Sequence, residues 1–73
     1  MFGLYDVVSL VNDDEKHGVK KEHIGAVIDI LSGGEAYTVE FLDDKGNTNE
    51  EALFTEYKES ELRLVSRYED VIP

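Results

Sequence analysis

Apolar residues along this chain fall in short β-branched runs, separated by polar breaks that carry glycine. Leu4–Val11 is the first run, long enough for a strand and short for a helix. Asn12–Lys21 reads as a long charged loop with Gly18 as its turn residue. Ile24–Leu31 is a second strand, and Gly25 near its start predicts a bulge or a close backbone approach. Ser32-Gly33-Gly34-Glu35 predicts a hairpin, because glycine adopts positive φ without a Cβ clash. Ala36–Leu42 alternates most clearly, with Tyr37, Val39 and Phe41 on one face and Thr38 and Glu40 on the other. Asp43-Asp44-Lys45-Gly46-Asn47 suits a type I turn closed by a left-handed glycine.

The stretch 48–64 supports two readings. Thr48-x-x-Glu51 fits a capping box opening a helix, with Leu53 and Tyr57 as i, i+4 neighbours. Alternation fits a strand, with Leu53, Thr55 and Tyr57 on one face and Ala52, Phe54 and Glu56 on the other. Two hairpins lie immediately upstream, which favours a strand at 50–56. A 3₁₀ turn at Lys58–Glu61 and a last strand at Leu62–Val65 follow. Residues 1–65 form the expected domain and 66–73 a frayed tail, with Val71 and Ile72 its only aliphatic residues. Val8, Leu10, Val27, Ile30, Val39, Phe41, Leu53 and Leu64 are the expected core.

Composition sharpens this picture. A chain of 73 residues has room for one small domain. Such a chain buries roughly 60% of the surface its unfolded form exposes. With 17 acidic and 7 basic residues the net charge is −10. Half of that charge sits in 43–61, where seven acids accompany two lysines. Such a surface repels phosphate backbones and favours a basic partner, or serves solubility. The absence of cysteine excludes a disulfide framework and thiolate metal sites. No basic segment leads into a long apolar run and no apolar run reaches 18 residues, so a cytoplasmic protein is expected.

Five short strands, a long first loop, two tight hairpins and a short 3₁₀ turn before the last strand describe an all-β, SH3-like barrel. Tyr5-Asp6-Val7-Val8-Ser9-Leu10, Gly18-Val19-Lys20-Lys21 and Ile24-Gly25-Ala26-Val27-Ile28-Asp29-Ile30 carry a closer resemblance. They are followed by Ala36-Tyr37-Thr38-Val39-Glu40-Phe41, Gly46-x-Thr48 and Leu62-Arg63-Leu64. In order and spacing, over residues 4–65, these resemble the bacterial domain-of-unknown-function family 4926. The resemblance implies a small SH3-like barrel and brings no catalytic residues with it. Glu22-His23 stands where that family usually has Gly-Asp, and the prolines of its first loop and before its last strand are missing here. Gly25-x-Val27 after a Lys-rich loop is similar to KOW-type barrels that sit on RNA polymerase or ribosomal RNA, although those are usually basic. Gly3-Leu4-Tyr5-Asp6 looks like the opening of eukaryotic SH3 domains, but their Pro-rich ligand groove needs a Trp that this chain lacks.

No pattern for catalysis stands out. His17 and His23, with Asp13, Asp14 and Glu15 nearby, match no zinc or EF-hand spacing and read as exposed loop histidines. The serines lack a nucleophile elbow, and Gly33-Gly34 lacks the lysine and helix of a phosphate loop. Lys16, Lys20 and Lys21 are diluted by acids, so nucleic-acid binding is not expected. The acidic stretch is the best candidate site: Asp43, Asp44, Glu50, Glu51, Glu56 and Glu59 surround Phe54 and Tyr57. Acids around an aromatic anchor suit a protein interface with a basic partner. A non-enzymatic binding module without cofactor or metal is therefore expected, for instance an antitoxin or immunity-type partner of a basic protein. A KOW-like accessory barrel and an accessory subunit of a larger enzyme are the alternatives. An exposed edge strand would also allow a homodimer.

Overall fold

The computed structural model describes residues 1–70; Val71 and Ile72 lie outside them. Five strands form one antiparallel sheet in the order β4-β3-β2-β1-β5. They are β1 (Val7–Leu10), β2 (Ile24–Leu31), β3 (Ala36–Phe41), β4 (Glu56–Lys58) and β5 (Leu62–Ser66). A 3₁₀ turn at Glu59–Glu61 leads directly into β5, completing an SH3-like barrel. The core is Phe2, Val8, Leu10, Val19, Val27, Tyr37, Val39, Phe41, Ala52, Tyr57 and Leu62, with Ile30 and Leu64 packed against it.

The expected face of β3 is the inward one: Tyr37, Val39 and Phe41 are fully buried. Val27 and Ile30 both contribute to packing although they stand three residues apart, a spacing that puts side chains on opposite faces of a regular strand. A register shift between Val27 and Asp29 resolves the conflict. Val27 pairs with Val39, Ile30 pairs with Tyr37, and Ile28 is the extra residue that flips the alternation. Gly25 faces the core and pairs with Phe41 of β3. A Cβ there would sit 2.7 Å from the Glu40 carbonyl oxygen and 2.8 Å from Phe41 Cα.

The first strand begins later than its apolar run, at Val7. Asp6 explains why: Gly3 N–H donates to Asp6 Oδ2 (2.8 Å), and Asp6 N–H donates to the Gly3 carbonyl (3.2 Å). This turn forces Tyr5 to a left-handed φ of 68°. Both expected turns form. Gly33 and Gly34 take positive φ between β2 and β3, and Gly46 (φ 83°) closes the turn in which Asp43 Oδ1 accepts from Lys45 and Asn47 N–H groups. The first loop is structured, with a 3₁₀ turn at Glu15–His17, and it delivers Val19 to the core.

The strand expected at 50–56 is corrected. Residues Glu50–Leu53 form a single helical turn, α1, and the chain becomes extended only at β4. The cap is Asn49, whose Oδ1 accepts from Ala52 N–H (3.1 Å). Thr48, the expected cap, instead donates its hydroxyl to Glu40 Oε2 (2.8 Å). One turn of helix puts Ala52 in the core in place of Leu53, which is only half-buried. At the C-terminal end, Ser66 completes β5, and Arg67 and Tyr68 dock on Asp6.

Candidate functional site

The acidic stretch does not form one surface with two aromatic anchors. Tyr57 is 2% exposed and packs edge-on against Phe41, with ring centroids 5.5 Å apart. Its hydroxyl donates to Asp14 Oδ2 at 2.7 Å. Burial, followed by the hydrogen bond and charge of Asp14, pushes the phenol well above its ordinary range. Tyr57 is thus a core residue that ties β4 to the first loop. Phe54, at the C-terminal end of α1, is 87% exposed. No other apolar side chain among the described residues is so open to solvent. Glu50 and Glu51 precede it by four and three residues on the helical turn, and Glu56 follows at the start of β4; all three are exposed.

The other predicted site residues do structural work. Asp43 holds its turn, and the Asn47 N–H, ahead of the opposing desolvation, keeps its carboxyl below the usual range. Asp44 Oδ1 lies 2.8 Å from His23 Nε2. Glu59 reaches the Met1 amino group at 2.8 Å and receives the Tyr37 hydroxyl at 3.5 Å; the amino group lowers its carboxyl. The edge expected from a strand at 50–56 shrinks to three residues, Glu56–Lys58.

His23 corrects the reading of both histidines as exposed. It is 8% exposed, and its Nδ1 accepts from Lys20 N–H at 3.2 Å. That bond leaves Nε2 to donate to Asp44, so the imidazole joins the first loop to the turn after β3. His17 is partly buried, with Nδ1 2.7 Å from Asp14 Oδ2. Asp14 also caps the 3₁₀ turn through His17 N–H. Burial opposes its charge, but the Tyr57 hydroxyl and His17 outweigh it, so the Asp14 carboxyl is held below its ordinary value. The loop's apparent metal-like composition is therefore spent on internal hydrogen bonds. Among the described residues, no three His, Asp or Glu side chains are grouped to hold a metal ion. Lys16, Lys20 and Lys21 are exposed on the same loop as Asp13, Glu15 and Glu22.

The sequence model of a domain of unknown function, DUF4926, matches residues 4–59. The chain belongs to the DUF4926 family. No curated protein and no solved structure matches the chain. In this DUF4926 protein no helix among the described residues is long and apolar enough to cross a membrane. Sequence reasoning missed Asp6, which is 4% exposed and accepts from Gly3, Tyr68 and Arg67. A single acid beside an apolar run carries no signal that distant donors will converge on it.

Proposed function

We propose that this DUF4926 protein is a non-enzymatic module of the bacterial cytoplasm that binds a basic protein, with Phe54 as the anchor. The supporting observation is Phe54 itself, 87% exposed among Glu50, Glu51 and Glu56. A phenyl ring this open to water contributes little to folding and is free to fill a pocket on another protein, where aromatic anchors carry much of the binding energy. The carboxylates around it, together with Asp43 and Asp44, give that encounter its sign: they attract lysine and arginine and speed association. A sharper form of this reading is an antitoxin or immunity-type protein that covers the basic surface of a nuclease-like toxin.

The test is affinity capture from the native cell with tagged wild-type and Phe54→Ala chains, eluted in salt steps. A basic protein retained by the wild type and released by salt is the expected result. Phe54→Ala should weaken that complex by at least about tenfold, the usual loss for an aromatic hot spot. Its thermal stability should match the wild type within about 0.5 kcal/mol, as for an exposed residue. Equal capture by both chains would reject Phe54 as the anchor, and a salt-insensitive partner would reject the acidic encounter. Tyr57→Phe is the complementary variant. It removes a donor to Asp14 and should cost about 1–2 kcal/mol in urea unfolding while leaving partner binding intact.

A further inference from the structure

The face of the sheet that points away from the core is also apolar where β1, β2 and β3 meet. Val7 pairs with Ala26 and Ala26 with Glu40. One row away, Arg63 pairs with Ser9 and Ser9 with Ile24, and Leu42 N–H donates to the Ile24 carbonyl. Directly opposed residues project from the same side of an antiparallel sheet. The two rows therefore present Val7, Ile24, Ala26 and Leu42 as one outward patch. Ile24 is 46% and Leu42 37% exposed. Between these side chains runs an open groove of about 230 Å³, over Gly25 and Ala26, with Glu40 at its border.

The chain carries −10, and on this face Arg63 on β5 and Glu40 on β3 flank the apolar patch from opposite sides, with Asp29 and Glu56 in the next row beyond Glu40, paired through Thr38. Arg63 is exposed and forms no ion pair among the described residues. Glu40 uses Oε2 for the Thr48 hydroxyl, and no donor among the described residues reaches Oε1. A second copy finds both an exposed cation and a half-buried anion beside an apolar patch here. A two-fold axis inclined by about 25° to the strands lays β5 of one copy over β3 of the other, the inclination following from three strand spacings across and one two-residue row along the sheet. Each Arg63 then faces the other copy's Glu40 while the two apolar patches meet. Such a face is complementary to itself, which is the requirement of an isologous dimer.

We infer that this chain forms a two-fold dimer through the outer face of β1, β2 and β3, with reciprocal Arg63–Glu40 contacts. This surface is separate from Phe54, and the inference does not depend on the binding function proposed above. The test is the mass of the full chain by sedimentation equilibrium from micromolar to millimolar concentration, at about 0.15 M salt where the Debye length is about 8 Å. The mass is expected to rise from 8.3 kDa toward twice that value. Ala26→Glu, which puts a charge on the groove floor, should leave a folded monomer at every concentration. Arg63→Glu and Glu40→Arg should each weaken self-association at least tenfold. Mixing those two variants should restore a dimer, because every contact across the axis again joins opposite charges. If Glu40→Arg disturbs folding through Thr48, Glu40→Lys serves in the same mixture, with circular dichroism checking the fold. A chain that stays monomeric at millimolar concentration overturns the inference. So does a dimer indifferent to Ala26→Glu, which would place the contact at a sheet edge, and so does a mixture no better than its components.

Discussion

Gly25→Ala is expected to lower the unfolding free energy by about 2–3 kcal/mol, the upper part of the range for overpacking a tight core. The added methyl would lie 2.7 Å from the Glu40 carbonyl oxygen, 2.8 Å from Phe41 Cα and 2.8 Å from Val39 Cγ1. Non-bonded carbons settle at about 3.5–4.0 Å. Two of the three obstructing atoms are backbone of the paired strand, so no rotamer change relieves the clash. The strands must separate where Gly25 pairs with Phe41, at the centre of the sheet. Alanine would also restrict the unfolded chain, an opposing gain of about 0.4–1 kcal/mol that is too small to compensate. For a domain of this size the melting temperature should fall on the order of 10–20 °C. Gly33→Asn provides the contrast. Gly33 has positive φ (70°), which strains any side chain, but a Cβ added there would meet nothing within 4 Å and asparagine is among the residues that best tolerate that backbone, so its melting point should fall by only a few degrees, on the order of 5 °C. Differential scanning calorimetry of both variants decides the matter; a Gly25→Ala protein as stable as Gly33→Asn would mean that β2 and β3 do not approach so closely.

Asp6→Ala is expected to have the second large effect, about 2–4 kcal/mol at neutral pH. It removes a buried carboxylate that accepts from Gly3 N–H, Tyr68 N–H and Arg67 Nη1 at 2.8, 2.9 and 3.2 Å. A fully buried donor left without an acceptor costs about 1–3 kcal/mol, and the Gly3 and Tyr68 N–H groups, being part-buried, each lose up to that much. The Arg67 side chain is 41% exposed, so solvent screens its share and the two backbone donors dominate. Burial alone would raise this carboxyl; the Gly3 and Tyr68 N–H groups and then Arg67 overcome it, and the folded-state pKa is depressed. The sign of the pH dependence follows. The stabilisation is fully present above the unfolded carboxyl value of about 3.9 and is lost as pH falls through the lower folded value. Urea unfolding should show a constant gap between wild type and Asp6→Ala from pH 7 to about 5, narrowing below about pH 4. A gap that widened on acidification would contradict the assignment. Loss of the edge-to-face contact between Tyr5 and Tyr68, now 5.4 Å between ring centroids, should accompany the variant because Tyr68 is docked by Asp6.

What was readable in advance follows from the range of the interactions involved. The β2–β3 hairpin is local: alternation sets the inward face of Tyr37, Val39 and Phe41, and Gly33-Gly34 sets the turn. The turn at Asp43–Asn47 is local as well, since Asp43 bonds to the backbone two and four residues ahead. Gly25 was marked by its presence in a strand, and the close approach of the Glu40 and Phe41 backbone supplies the packing reason. The family was readable because motif order and spacing survive without knowledge of contacts, and the match over residues 4–59 establishes it.

The stretch after Asn47 was not decided locally. Its pattern fits helix and strand alike, and the outcome rests on partners elsewhere in the chain. Asn49 N–H donates to the Phe41 carbonyl and its side-chain amide to the His17 carbonyl, which fixes the cap one residue after Thr48. Once capped there, α1 turns Ala52 inward and Phe54 outward, separating two residues that a strand would have put on one face. Tyr57 then reaches Asp14, 43 residues away in sequence, and leaves the surface for the core. Buried His23 bonds to Asp44 and buried Asp6 to Tyr68 and Arg67, and Val19 enters the core from a loop that composition marks as solvent-exposed. By itself the sequence determined the strand-rich class, the family, the tight turns and the excess of acid, because each depends on neighbours a few residues apart or on composition alone. Only the tertiary structure decided which acids are free and which aromatic ring is offered to solvent, because a side chain's exposure depends on what distant segments bring to it.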